Sequence, residues 1–155
     1  MWGLGAIVVA LLLVVGIITV IIAAGYPGSP EPEESPQGVL VSGDEAQTGC
    51  TWTSGCPEGV REIEVYKLNT PAPVETISVA EGSTMVFDYG GEGDKGFPYC
   101  DLSSMDNNTG VALPCQWKGE HVEIPANLPP GEYGMAVSIE REERADFYGF
   151  HLLVE

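Results

Sequence analysis

Basic residues are scarce in this chain. Among 155 residues there are 6 lysines and arginines against 23 aspartates and glutamates, a formal net charge of −17. Contact with nucleic-acid phosphates requires clustered Lys and Arg, so nucleic acid is not an expected partner, and adhesion of the acidic part to anionic lipid fails for the same reason. Histidine is scarcer still: only His121 and His151 could act as bases near neutral pH, and no GxSxG, HExxH or P-loop spacing accompanies them. His121 alternates with Val122 and Ile124, and His151 with Phe150 and Leu152, so both are expected to face solvent. No spacing rule singles out a glycosidase pair from the many carboxylates. The chain is therefore expected not to be an enzyme. The four cysteines form no CxxC pair, and His121 lies six residues past Cys115, which argues against a zinc site.

Charge of either sign is missing altogether from Met1 to Gly25. Leu4 to Ala24 forms an apolar run of 21 residues, and a helix of that length spans roughly 30 Å, the thickness of a bilayer's hydrocarbon core. A lipid-embedded helix satisfies its own backbone, so the β-branched run Ile17–Ile22 is no obstacle. Residues 1–25 are accordingly expected to be a transmembrane helix acting as signal anchor, with the membrane engaged through residues 4–24. The small residues Ala23-Ala24-Gly25 offer a cleavage site before Tyr26, the alternative of a removed signal peptide. Against it, the basic n-region is absent and the run exceeds an ordinary h-region. Lys/Arg bias cannot set the orientation, because neither flank carries any. The large acidic C-terminal part with all four cysteines is expected outside, giving a single-pass protein of the cell membrane with an extracytoplasmic domain.

Beyond the apolar run the chain becomes rich in proline and glutamate. Residues 26–38 read as an extended, solvated stalk, since such a segment buries no apolar surface. Residues 39–155 are expected to form one domain. The helical period is lacking there, and a period of two is frequent. Glu62-Ile63-Glu64-Val65 alternates out and in; Met85, Phe87 and Tyr89 share a face. Tyr133, Met135, Val137 and Ile139 form one inward row, and Tyr148, Phe150, Leu152 and Val154 another. Turn signals stand between them at Glu81-Gly82, Gly90-Gly91, Pro130-Gly131 and Arg141–Asp146, with Pro130 and Gly131 suited to the centre of a type II turn. The expected fold is all-β, an antiparallel β-sandwich of jelly-roll or immunoglobulin-like type.

Three segments, ISVAEGSTMVFDYGGEGD, NLPPGEYGMAVSIE and FYGFHLLVE, carry a resemblance. Over roughly residues 76–155 the chain resembles the jelly-roll sandwiches of bacterial pre-peptidase C-terminal domains, with GOLD-type sandwiches sharing the Pro-Gly-x-Tyr turn. Gly90, Gly91, Gly93, Asp94, Cys100, Cys115, Asn127, Pro129, Gly131 and Tyr133 occupy the matching places. The resemblance implies the sandwich fold. Where that family has the strand that supplies cation ligands, this chain reads Asp94-Lys95-Gly96-Phe97-Pro98.

Candidate site residues are few. Cys50, Cys56, Cys100 and Cys115 are expected in disulfides; three pairings are open, and Cys50–Cys56 with Cys100–Cys115 closes two local loops. Asp88, Glu92 and Asp94, spaced through a glycine-rich loop, are candidate Ca²⁺ ligands, with an acidic hairpin as the alternative; no other cofactor is expected. Trp52 and Trp117, on or beside cysteine-closed loops, are candidate partner contacts, the alternative being packing over the neighbouring disulfides. Asn107 opens a glycosylation sequon. The expected role is a non-catalytic binding or accessory subunit with a protein partner or a second copy. Two alternatives stand beside it: a structural subunit of a filament or membrane complex packed through the apolar helix, and a secreted carbohydrate-binding or enzyme-accessory module.

Overall fold

The computed structural model describes residues 34–155 except Ser54, Pro57, Glu58, Tyr66, Lys67, Glu92, Gly93, Asp94, Asn108 and Glu143. The expected membrane helix and most of the stalk lie outside the described residues; within these, no helix is long and apolar enough to cross a membrane. The described part, Glu34–Glu155, forms one compact unit.

Twelve strands succeed one another: β1 (Gly38–Ser42), β2 (Glu45–Thr48), β3 (Val60–Val65), β4 (Leu68–Pro73), β5 (Ile77–Val79), β6 (Thr84–Tyr89), β7 (Phe97–Ser104), β8 (Gly110–Leu113), β9 (Gln116–Lys118), β10 (His121–Pro125), β11 (Gly131–Glu140) and β12 (Ala145–Val154). They build two five-stranded sheets, ordered β2-β1-β6-β10-β9 and β5-β12-β11-β7-β8, and a separate β3-β4 hairpin. Every pairing is antiparallel except that of β5 with β12, which is parallel. The all-β sandwich expected from the period-two pattern is the fold observed.

The alternating rows explain why the two sheets face each other. Leu40, Met85, Phe87, Val122 and Ile124 from the first sheet meet Leu102, Met135, Val137, Ile139, Phe150 and Leu152 from the second in one buried cluster. Phe87 bridges the layers, its ring 5.1 Å from that of Tyr148 and 5.8 Å from that of Phe150. Truncating one such aromatic to alanine costs about 3–5 kcal/mol in lost transfer and cavity terms.

Residues 36 and 37 are bonded to the end of the sandwich where β6 finishes and β12 begins. Gly90 donates its N–H to the Gln37 carbonyl at 2.9 Å, and Tyr148 donates its hydroxyl to the Pro36 carbonyl at 2.8 Å. At the opposite end the Pro130-Gly131 turn differs from expectation. Gly131 has a positive φ as expected, but at +156° rather than the φ ≈ +80° of a type II turn, and it already pairs with Val154 as the first residue of β11. The corner is held instead by Tyr133, whose hydroxyl donates to the Pro129 carbonyl at 2.9 Å, the arrangement of a tyrosine corner.

A third layer was not legible in the strand pattern. The β3-β4 hairpin lies on the outer face of the second sheet, where Ile63, Val65 and Ala72 pack with Met105 and Ala136. Small residues admit it. A methyl group at Gly149 would overlap the Pro71 carbonyl oxygen, and one at Gly134 would overlap Ile63. This layer corrects the expected exposure of His151, which is 2% accessible. The residue does point away from the sandwich core, as alternation requires, but the hairpin covers that face.

Two disulfides, Cys50–Cys56 and Cys100–Cys115, join Cα atoms 4.5 and 6.1 Å apart. The second ties β7 to the segment that crosses from β8 in one sheet to β9 in the other. A 15-residue loop closed in this way contributes about 3 kcal/mol by chain entropy. Two such bonds suit an oxidising, extracellular environment.

Candidate functional site

Beside the hairpin, part of the outer face of the second sheet stays open. Across the strands, Phe147 of β12 stands opposite Ser138 of β11, and Ser138 opposite Tyr99 of β7. One step along, Gly149, Ala136, Asp101 and Ala112 form the next row. Aromatic side chains therefore flank a strip of small residues. Phe147, Tyr99 and Phe97 are exposed.

The strip is the floor of a cleft of about 360 Å³ lined by Trp52, Val65, Asn69, Thr70, Asp101, Ala136, Ser138 and Phe147. Val65, Asn69 and Thr70 come from the hairpin and form one wall. Trp52 comes from the loop between the first disulfide's cysteines and is 61% exposed. Its backbone is held on both sides. Cys50 exchanges hydrogen bonds with Gly149 of β12 at 3.0 and 2.8 Å, and Thr51 exchanges them with Gly55 at 3.2 and 2.9 Å. An exposed indole on so constrained a loop loses little entropy when it makes contact.

Asp101 is the one ionisable side chain among the described residues lining the cleft. Burial raises its carboxyl above the usual aspartate value, as desolvation of a charged form does.

The other sequence-derived candidates fall elsewhere. Trp117 is half-buried against the core cluster, donates its indole N–H to the Gly96 carbonyl at 3.0 Å, and lies edge-on to Tyr89. Lys95 covers its ring at 5.5 Å from the centroid. Trp117 thus serves packing, while Trp52 stays open. Asp88 is exposed on β6, whereas Glu92 and Asp94 lie outside the described residues; among these, no group of three or more metal-binding side chains occurs. Asn107 is exposed, and its Oδ1 accepts from the Thr109 N–H at 3.1 Å and hydroxyl at 2.6 Å.

Two polar clusters were not anticipated. His151 presents Nε2 to Glu132 at 2.6 Å and Nδ1 to the Val74 carbonyl at 3.1 Å, while Arg61 reaches Glu132 at 3.0 Å. His151's hydrogen bond, aided by Arg61's charge, holds the Glu132 carboxyl below its usual value despite desolvation. Since Arg61 lies on β3 and Val74 comes just after β4, the cluster fastens the hairpin to β11 and β12. At the end of the sandwich crossed by residues 34–37, Asp146 is 1% exposed; its Oδ2 accepts from the Tyr89 hydroxyl at 2.8 Å and from Arg141, and its Oδ1 from Arg144 Nε at 3.1 Å. Burial pushes its carboxyl up, but hydrogen bonds from Arg144, Tyr89, Ser35 and Arg141 win, and it lies below its usual value. Tyr89 is pushed up to about 12 by burial and by this carboxylate.

The outward alternation Phe97-x-Tyr99-x-Asp101 was present in the sequence and could have marked β7's outer face. Phe147, flanked by inward Asp146 and Tyr148, carried the same signal. No protein-family model, curated protein or solved structure matches the chain.

Proposed function

We propose that this is a single-pass membrane protein whose extracytoplasmic sandwich, of jelly-roll type, acts as a non-catalytic binding module, with the Trp52 cleft as its contact site. The observation that carries the reading is Trp52 itself: a large aromatic 61% exposed, clamped by a disulfide and two pairs of backbone hydrogen bonds, at the rim of an apolar cleft. Exposed aromatics cost solubility, and rigid ones beside a pocket have the anatomy of binding hot spots. The uncharged 21-residue run at the N-terminus supports anchoring, the disulfides support an outside location, and the Pro/Glu segment supports a spacer between the two.

Two experiments test it. Alkaline extraction of membranes, then N-terminal sequencing, should find the chain retained and uncut; a mature chain starting near Tyr26 overturns the anchor. A photo-crosslinking amino acid at position 52 in cells should give a discrete adduct that the same residue at exposed Glu81, in the β5-β6 turn, does not. Equal or absent adducts at the two positions overturn the binding site.

A further inference from the structure

Charge inside the cleft narrows what it can hold. The Asp101 carboxylate lines the cleft and makes no hydrogen bond or ion pair with another described residue. Each of the five basic side chains among the described residues is committed elsewhere: Arg61 to Glu132 at 3.0 Å, Lys95 to Glu120 at 3.2 Å, Lys118 to Glu123 at 3.5 Å, and Arg141 and Arg144 to Asp146. A partly desolvated carboxylate is costly unless a counter-charge arrives. Around it stand an indole and a phenyl ring, whose faces attract cations, and the aliphatic walls Val65 and Ala136, which suit an alkyl stem. Long-range attraction has the same sign, since the chain carries net charge −17.

We infer that the cleft takes a lysine or arginine side chain of a basic protein partner, its stem between Trp52 and Phe147 and its charged head on Asp101. This rests on the binding-module reading above and adds the chemistry of the occupant. Burial of Asp101, which already raises its carboxyl, is the condition under which such a pair gains most from being formed.

The test uses the full chain in detergent micelles. Every sample carries Lys67→Gln, which removes the chain's own lysine between β3 and β4. The probes are acetyl-glycyl-lysyl-glycinamide, its arginine counterpart and its norleucine counterpart, which keeps the stem without the charge, together with cellotriose and chitotriose. Binding is read from the indole N–H resonance of Trp52, assigned by its loss in Trp52→Phe, with the Trp117 indole resonance as a marker of intact fold. The lysine and arginine peptides should shift the Trp52 signal and the norleucine peptide should not. Asp101→Asn should weaken cation binding by about tenfold, as expected on losing a charge-assisted contact, without moving the Trp117 signal. Trp52→Ala, on an exposed loop, should abolish binding measured through neighbouring backbone amides, and serves if Asp101→Asn does not fold. Equal shifts with norleucine, or shifts with a sugar alone, overturn the cationic occupant while leaving a binding cleft. If no probe shifts Trp52 and position 52 still crosslinks in cells, the occupant is wrong and the module reading stands. Loss of both overturns both.

Discussion

Replacing Asp146 with asparagine keeps its shape and removes its charge, so it isolates what the carboxylate does at its end of the sandwich. In the native chain that 1%-exposed group faces the Arg141 and Arg144 guanidiniums and the Tyr89 hydroxyl. Removing one partner of a buried ion pair costs about 3–5 kcal/mol, because the surviving charge stays uncompensated. The Arg141 and Arg144 side chains retain 18% and 26% of their surface. Water therefore screens part of the loss, and the lower figure of about 3 kcal/mol is expected. With about 2.1 cal/mol/K of unfolding entropy per residue over a unit of roughly 120 residues, that corresponds to a fall in Tm of about 12 °C. The pH dependence has a definite sign. Because the folded-state pKa is depressed, the carboxylate's contribution is fully present above the unfolded value of about 3.9 and is lost as pH falls through the folded value. Thermal melts of the full chain in detergent should show the wild type well above Asp146→Asn at pH 7, the gap closing in acid below about pH 4. A gap under about 3 °C at neutral pH, or one that stays constant into acid, would refute the account of this cluster.

Four further outcomes are expected. Gly149→Ala should destabilise by about 1–3 kcal/mol or more, since its methyl meets the Pro71 backbone, and limited proteolysis should then cut first within residues 59–74. Tyr133→Phe should lower Tm by about 4 °C, the loss of roughly one hydrogen bond worth 1 kcal/mol to the Pro129 carbonyl; an unchanged melt would remove the tyrosine corner from the fold's supports. Ultraviolet titration should find Tyr89 ionising near pH 12 in the wild type and earlier in Asp146→Asn, because burial and then the carboxylate raise it. Peptide mapping without reductant should recover Cys50–Cys56 and Cys100–Cys115, and four free thiols in the native protein would also contradict an outside location.

Much of the sandwich could be read from alternation, because burial on one face imposes a period of two that no other structure mimics. Tyr133, Met135, Val137 and Ile139, and likewise Tyr148, Phe150, Leu152 and Val154, are all buried. Alternation says which face a residue takes, however, and is silent about what lies over that face. His151 shows the difference: it points outward from the core and is still buried beneath the hairpin. The signal that did exist was compositional. Gly134, Ala136, Ser138 and Gly149 are small residues on the outward side of two central strands, and a solvated face has no need of so few bulky side chains. The parallel pairing of β5 with β12 was equally hidden, since a three-residue strand carries almost no register information.

The cleft arises from the same small residues. They let the hairpin approach the second sheet, and where it stops, beside Ala136 and Ser138, the strip they form stays open as a floor. Walls then come from whatever borders that stop: Val65, Asn69 and Thr70 from the hairpin, Phe147 from β12, Asp101 from β7, and Trp52 from the disulfide loop that Gly149 holds in place. These positions span almost one hundred residues and share no spacing, so no linear motif could have joined them. Gly149 does two of these jobs at once, accepting the hairpin backbone on its missing side chain and pairing with Cys50 through its own backbone. A side chain there would displace the hairpin wall and the Trp52 loop together, which makes this glycine the point where the stability of the third layer and the shape of the cleft are the same property.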